Sequence, residues 1–215
     1  MKIRNCKFEM AAAVLLTAAV LAPGCASQNQ TAPQRNHCYR NPEKDLAAIG
    51  RVAFVELNNN TSYPDISADV TEQLFESIQK KQLFGLNVVR QNDTSWRSLQ
   101  LEPDGEYILE EIQTIRTKLK CDGLLTGTIT RFSPHPHTAV GLRLKMLDLR
   151  DGRLVWAIEQ VWDSTDKTIE QRIKNYLKQQ RRSDSSAAQE QLVKISPLEF
   201  FKFVSCEVAD TLEKK

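Results

Sequence analysis

Hydrophobic and polar positions change their spacing several times along the chain. Arg51-Val-Ala-Phe-Val-Glu-Leu57 is a short β-rich run that ends at Asn58-Asn59-Asn60, a turn signal. Ile66, Val70, Leu74 and Ile78 then recur every four residues, which predicts an amphipathic helix capped by Ser67 or Asp69. Leu86-Asn-Val-Val-Arg90 reads as a second strand. Pro103 is placed to open a second helix, with Ile108, Ile112, Ile115 and Leu119 along one face. Asp122 to Phe132 is a third strand. From Thr138 to Asp148, Val140, Leu142, Leu144 and Met146 alternate with Arg143 and Lys145. Arg150-Asp-Gly-Arg153 makes a hairpin turn into a return strand, Leu154 to Trp162. A polar helix from about Asp166 to Lys178 and a Ser-rich, charged loop over 179–186 follow. The last helix opens at Ser196-Pro197-Leu-Glu199, which reads as a capping box with Pro at the first position, and buries Phe201, Val204 and Val208. The order β-α-β-α-β-β-β-α-α predicts an α/β (α+β) domain over 50–215. Its mixed sheet has about five strands, with helices packed mainly on one face.

Residues 1–25 follow a different logic. Lys2, Arg4 and Lys7 precede an apolar run from Met10 to Ala22, which ends in Leu21-Ala22-Pro23-Gly24-Cys25. The run is too short for a stable spanning helix. The segment resembles a bacterial lipobox, although Ala22 stands where Leu is usual and Pro23 is atypical. The resemblance implies a signal peptide over 1–24, acylation of the Cys25 thiol (palmitate among the chains) and cleavage in front of it. Ala26, in place of Asp, resembles the sorting pattern for the outer membrane. The expected location is therefore the cell envelope, on the outer membrane facing the periplasm. Residues 25–49, mostly polar, read as the lipidated cysteine and a flexible tether.

Charge and composition narrow the picture. The full chain of 215 residues has 29 Lys+Arg against 27 Asp+Glu; loss of residues 1–24 leaves 26 of each. Such a balance lacks the basic field that nucleic-acid binding needs. Cys38, Cys121 and Cys206 remain after export. Cys38 paired with Cys121 or with Cys206 would staple the tether to the domain, while Cys121 and Cys206 also read as core residues.

Motifs for chemistry are sparse. No phosphate-binding loop, nucleotide fingerprint or nucleophile elbow is present, so no enzyme activity, cofactor or small-molecule substrate is expected. His135-Pro136-His137, with His37 as a distant third, comes nearest to a metal set, but reads better as a loop stiffened by Pro134 and Pro136. Asp104, Glu106, Glu110 and Glu111 fit the first turns of a helix better than an acid/base pair. Trp156 and Trp162 share one strand face, either under the helix layer or as a partner contact. Arg181 and Arg182, beside Lys174 and Lys178, form either a solvated face or a contact for anionic lipid or cell-wall polymer.

The segments RVAFVELNNNTS, FGLNVVRQND and CDGLLTGTITRF, followed by LRLKMLDLRDGRLVWAIEQVWD, resemble the small α/β domain of a group of bacterial envelope lipoproteins. The group includes the curli-export lipoprotein, the lipoprotein activators of penicillin-binding proteins and the N-terminal domain of the Tol periplasmic protein. Val52–Val55, Val88–Arg90, Asp122–Gly127, Asp148, Gly152 and Trp156 carry the likeness, over roughly 50–162. What it implies is a non-enzymatic docking, assembly or regulatory module for an envelope protein partner. The alternative is a self-associating subunit of an export pore like the curli-export lipoprotein.

Overall fold

The computed structural model describes residues 38–99, 101, 107–180 and 187–213. The strands are β1 (Cys38–Arg40), β2 (Arg51–Val55), β3 (Asn58–Asn59), β4 (Gly85–Val89), β5 (Gly123–Ser133), β6 (Ala139–Asp148) and β7 (Leu154–Asp163). The helices are α1 (Ile66–Lys80), α2 (Thr94–Leu99), α3 (Leu109–Leu119), α4 (Lys167–Gln180), α5 (Ala187–Ile195) and α6 (Pro197–Asp210). One mixed sheet runs β1-β7-β6-β5-β2-β4, and β3 pairs with the far part of β5. β2 is parallel to both β4 and β5, whereas β5, β6 and β7 form an antiparallel meander with β1 at its outer edge.

The strand periodicity decides which side chains enter which layer. Val52 and Phe54 of β2 join α1, α4, α5 and α6 in the main core, together with Leu142, Leu144, Met146, Trp156 and Trp162 of the meander. Ala53 and Val55, on the opposite face, meet Ile112 and Ile115 of α3 in a smaller cluster with Leu101, Cys121 and Leu124. Helices therefore lie mainly on one face. β2, with parallel neighbours on either side, is covered on both faces, whereas Gly85 and Asn87 of the edge strand β4 stay exposed. Around Ala157, Glu159 and Val161 the outer face of the meander has no helix over it in either cluster.

Seven strands replace the five expected, because β1 and β3 are too short to show an alternation. β1 falls in the stretch read as tether. The folded domain in fact extends back to Cys38, and Leu46 and Ile49 are buried in the main core. Two isolated apolar residues in a polar stretch give no periodic signal, yet they hold the turn at Leu46–Ala48 against the sheet. α2 and α5 also went unseen, since six and nine residues offer too few turns for a stripe. α3 starts at Leu109; its Glu111 carboxylate accepts a bond from the Ile108 N–H, 2.9 Å. Pro103, Asp104 and Glu106 lie outside the described residues.

Two caps differ from expectation. α1 begins after Asp65, while buried Ser67 and Thr71 turn inward: Ser67 Oγ donates to the Leu57 carbonyl and Thr71 Oγ1 accepts from the Leu57 N–H. At α6 Pro197 does occupy the first turn, but Ser196 makes no side-chain cap bond and Glu199 binds Lys202 at 2.7 Å.

Gly127 shows why the third strand needs a glycine at that point. A Cβ there would sit 2.4 Å from the Arg143 carbonyl oxygen and 2.4 Å from Leu144 Cδ2, so β5 and β6 could not close. At Gly85 on the edge strand the nearest atom would be 3.4 Å away. Gly127→Ala is expected to cost about 1–3 kcal/mol in chemical denaturation, and Gly85→Ala less than half of that.

Candidate docking surfaces

The meander builds one candidate surface. Cross-strand register places Lys145 beside Thr126 and Ala157, and Arg143 beside Thr128 and Glu159, all on the face away from the main core. Arg143 pairs with Glu159 at 2.8 Å, an exposed bridge worth at most about 1 kcal/mol. Beyond a bulge at Thr130, Arg131 joins this face, next to Gly141 and Val161. Tyr39 of β1 lies beside Ala157 and is exposed. The result is a mixed surface of long charged side chains around Tyr39 and Val161.

The sheet has two edges. Gly85 N–H donates to the Gly50 carbonyl, and the Val89 carbonyl accepts from Glu56 N–H, so alternate residues of β4 bond to β2. The peptide groups of Leu86 and Val88 then point outward. At the other edge, β1 pairs only with Trp156–Ile158. Asn41 N–H donates to the Val155 carbonyl, which sets the odd residues of β7 toward this edge. Among the described residues no strand covers the outward peptide groups of Glu159 and Val161.

Beside that second edge lies a groove of about 440 Å³, lined by Cys38, Arg40, Gln160, Trp162, Arg172 and Glu207 among others. Arg172 forms an ion pair with Glu207, whose other bond comes from Trp162 Nε1 at 3.1 Å. Burial lowers the Arg172 pKa, and its Nη1 is buried with no hydrogen-bond partner.

The residues singled out by sequence fall in separate places. Trp156 and Trp162 are completely enclosed beneath α6, where Trp156 Nε1 donates to Thr211 Oγ1 at 3.2 Å. Their rings are packed into the main core, and Trp162 also backs the wall of the groove. His135 is exposed and His137 half-buried in the β5–β6 loop, and among the described residues no group of three His, Cys, Asp or Glu could hold a metal. Cys38, Cys121 and Cys206 are free thiols. Cys121 sits in the smaller cluster, and Cys38 and Cys206 pack against the main core. Burial pushes the Cys121 and Cys206 thiols upward, away from reactivity. Cys25, His37, Arg181 and Arg182 lie outside the described residues.

Sequence reasoning missed the strongest electrostatic site. Asp148, with its side chain fully buried, accepts bonds from Arg150 Nε and Nη2 (2.9 and 2.8 Å), the Arg150 N–H and Lys44 Nζ (2.9 Å). Burial alone would raise its pKa; the bonds from Arg150 and Lys44 outweigh that and hold the carboxyl well below the usual range. The site clamps the Asn41–Gly50 segment to the β6–β7 hairpin, where Gly152 at φ 73° turns the chain. Its signal was Asp148 at a strand end before Arg150-Asp-Gly, but Lys44 is 104 residues away.

No protein-family model matches the chain, and no curated protein does. Among solved structures the chain is similar to a PelC dodecamer from Paraburkholderia phytofirmans. That likeness has 13% identity and a TM-score of 0.48, over 83% of this chain and 96% of that one. Lipoprotein GNA1162 from Neisseria meningitidis is similar at 12% identity and a TM-score of 0.40, over 63% of this chain and 99% of that one. LpoB from E. coli is similar at 19% identity and a TM-score of 0.39, over 54% and 58%. The likeness is one of overall architecture. No helix among the described residues is long and apolar enough to cross a membrane.

Asp148 has a signed pH consequence. Its pKa is depressed in the folded state, so the unfolded chain takes up the proton first as pH falls. The stabilisation is whole above about pH 4 and drains away below it. Asp148→Ala is expected to cost about 2–3 kcal/mol at pH 7, less than a fully buried pair because Arg150 and Lys44 reach solvent. Denaturation midpoints from pH 7 to pH 3 check this, since the variant's acid decline should be the shallower.

Proposed function

We propose that the protein is a lipid-anchored envelope lipoprotein that works without catalysis, as a docking or assembly module for another envelope component. The observation that carries this reading is the sequence Leu21-Ala22-Pro23-Gly24-Cys25 behind a basic and then apolar leader, joined by a short polar stretch to a compact domain. Anchoring confines the domain to a thin layer at the membrane. Its effective concentration toward a partner there rises, so modest affinity at the open meander face suffices. Two or more acyl chains are needed for a stable hold. The processed chain sits on the outer membrane and faces the periplasm.

Self-assembly is the second reading, and the two sheet edges that no strand among the described residues covers favour it. They lie on opposite sides of one sheet, β4 on one and the outer half of β7 on the other. An edge that pairs with a different edge on the next copy makes a head-to-tail contact, and such contacts close into rings when the rotation allows. A ring of anchored copies is the form an export-pore subunit would take.

Fractionation of the native envelope tests the anchor: Cys25→Ser is expected to move the protein from membrane to soluble fractions. In-envelope cross-linking of the unaltered protein separates the two readings, with a hetero-adduct for docking and a ladder of multiples for assembly. Val88→Pro removes an outward N–H of β4 without touching its bonds to β2. Val161→Lys places a charge at the other edge. Each is expected to collapse a ladder to monomer, and recovery of neither adduct would contradict the proposal.

A further inference from the structure

One end of the domain concentrates exposed apolar side chains. Leu192 and Ile195 lie three apart on α5, and Leu198 follows across the corner into α6; they are 50%, 59% and 49% exposed. Phe201, one turn on from Leu198, packs on Phe132 (ring centroids 5.5 Å), and Phe132 on Tyr63 (5.0 Å, edge-on). Tyr63 is itself 41% exposed. Phe132 pairs with Val140 and Val140 with Trp162, so this is the end where β5 and β7 finish. Lys194 reaches Glu170 in the first turn of α4, which brings that helix start to the same end. The Asp148 clamp is at the opposite end.

The N-terminal end of β1 points toward this end. β1 runs antiparallel to β7 with Cys38 opposite Ile158, so its first residue lies on the side of the strand toward Asp163. Cys38 is five ladder positions from Asp163, about 17 Å. Thirteen residue steps separate Cys25 from Cys38. As a coil they span about 20 Å, and at most about 45 Å fully extended. That length is enough to bring the apolar end to a bilayer anchored at Cys25.

We propose that this end, built from Tyr63, Leu192, Ile195 and Leu198, rests on the lipid bilayer to which the protein is tethered. The contact fixes the sheet upright, so the outer face of the meander stands along the membrane plane. This rests on the lipid-anchor reading. Apolar area and the Tyr63 ring, at home at a membrane–water boundary, supply the binding. Charge adds little, because Lys202 is paired with Glu199, and Lys194 with Glu170 and Glu190. Binding is accordingly insensitive to the fraction of anionic lipid.

The test uses the mature chain with Cys25→Ser, which carries no acyl group, co-sedimented with phosphatidylethanolamine–phosphatidylglycerol vesicles. It is expected to bind measurably, with less than twofold change as the glycerol lipid goes from 10% to 40%. The double variant Ile195→Asp/Leu198→Asp, with an unchanged denaturation midpoint, is expected to bind at least tenfold more weakly. As a readout that does not depend on that variant folding, Tyr63→Trp supplies an indole that brominated phospholipid should quench. Absence of binding, undiminished binding by the double variant, or an unquenched indole overturns the proposal. So does an oligomer of the acyl-free chain that the double variant dissociates, since a second copy then covers the patch. Failure of the anchor itself is read separately, by membrane fractionation of the unaltered protein.

Discussion

Burial of α6 against the meander organises the molecule. Phe200, Phe203, Val204, Val208 and Leu212 are almost wholly enclosed, and the helix spans both tryptophans of β7, whose indole N–H groups it satisfies through Thr211 and Glu207. Large aromatic side chains of this kind contribute roughly 3 kcal/mol each when removed from water. α1 packs alongside, and α4 and α5 close the layer. Because these four helices share one face, the opposite face of β6 and β7 has to stay compatible with water, which explains the register of Arg143, Lys145 and Glu159. The surface available to partners is thus a consequence of where the core sits.

The main architecture was legible from residue spacing. Strands β2, β4, β5, β6 and β7 and helices α1, α3, α4 and α6 all leave a periodic trace, and the hairpin was marked by Asp151-Gly152. What escaped notice was either too short to be periodic or stabilised at long range. β1 holds its place through three ladder pairs, Arg40 Nη1 on the Leu212 carbonyl and the nearby Lys44–Asp148 bridge. None of these can be read from neighbouring residues. The two tryptophans were placed on one face correctly, but alternation cannot tell a face under helices from one meeting a partner.

The candidate surfaces were less legible still. An open sheet edge depends on what fails to pair with it, a property of the assembled topology. β7 offers ten residues and β1 meets only three of them. The apolar end is similar. Leu192, Ile195 and Leu198 sit in elements whose own stripes look ordinary, and they share an end of the domain with Tyr63 by way of the Phe132–Phe201 stack. The Asp148 clamp at the far end keeps the Asn41–Gly50 segment fixed, so the entry direction of the chain at Cys38 is set by folded structure.

The proposed role turns on the fate of the Cys25 thiol. Intact-mass and peptide mass spectrometry of the protein extracted from its own envelope measures it directly. The account predicts a mature chain that begins at Cys25 and carries a diacylglyceryl thioether. A chain that retains residues 1–24, or one cut elsewhere with an unmodified Cys25, would contradict it.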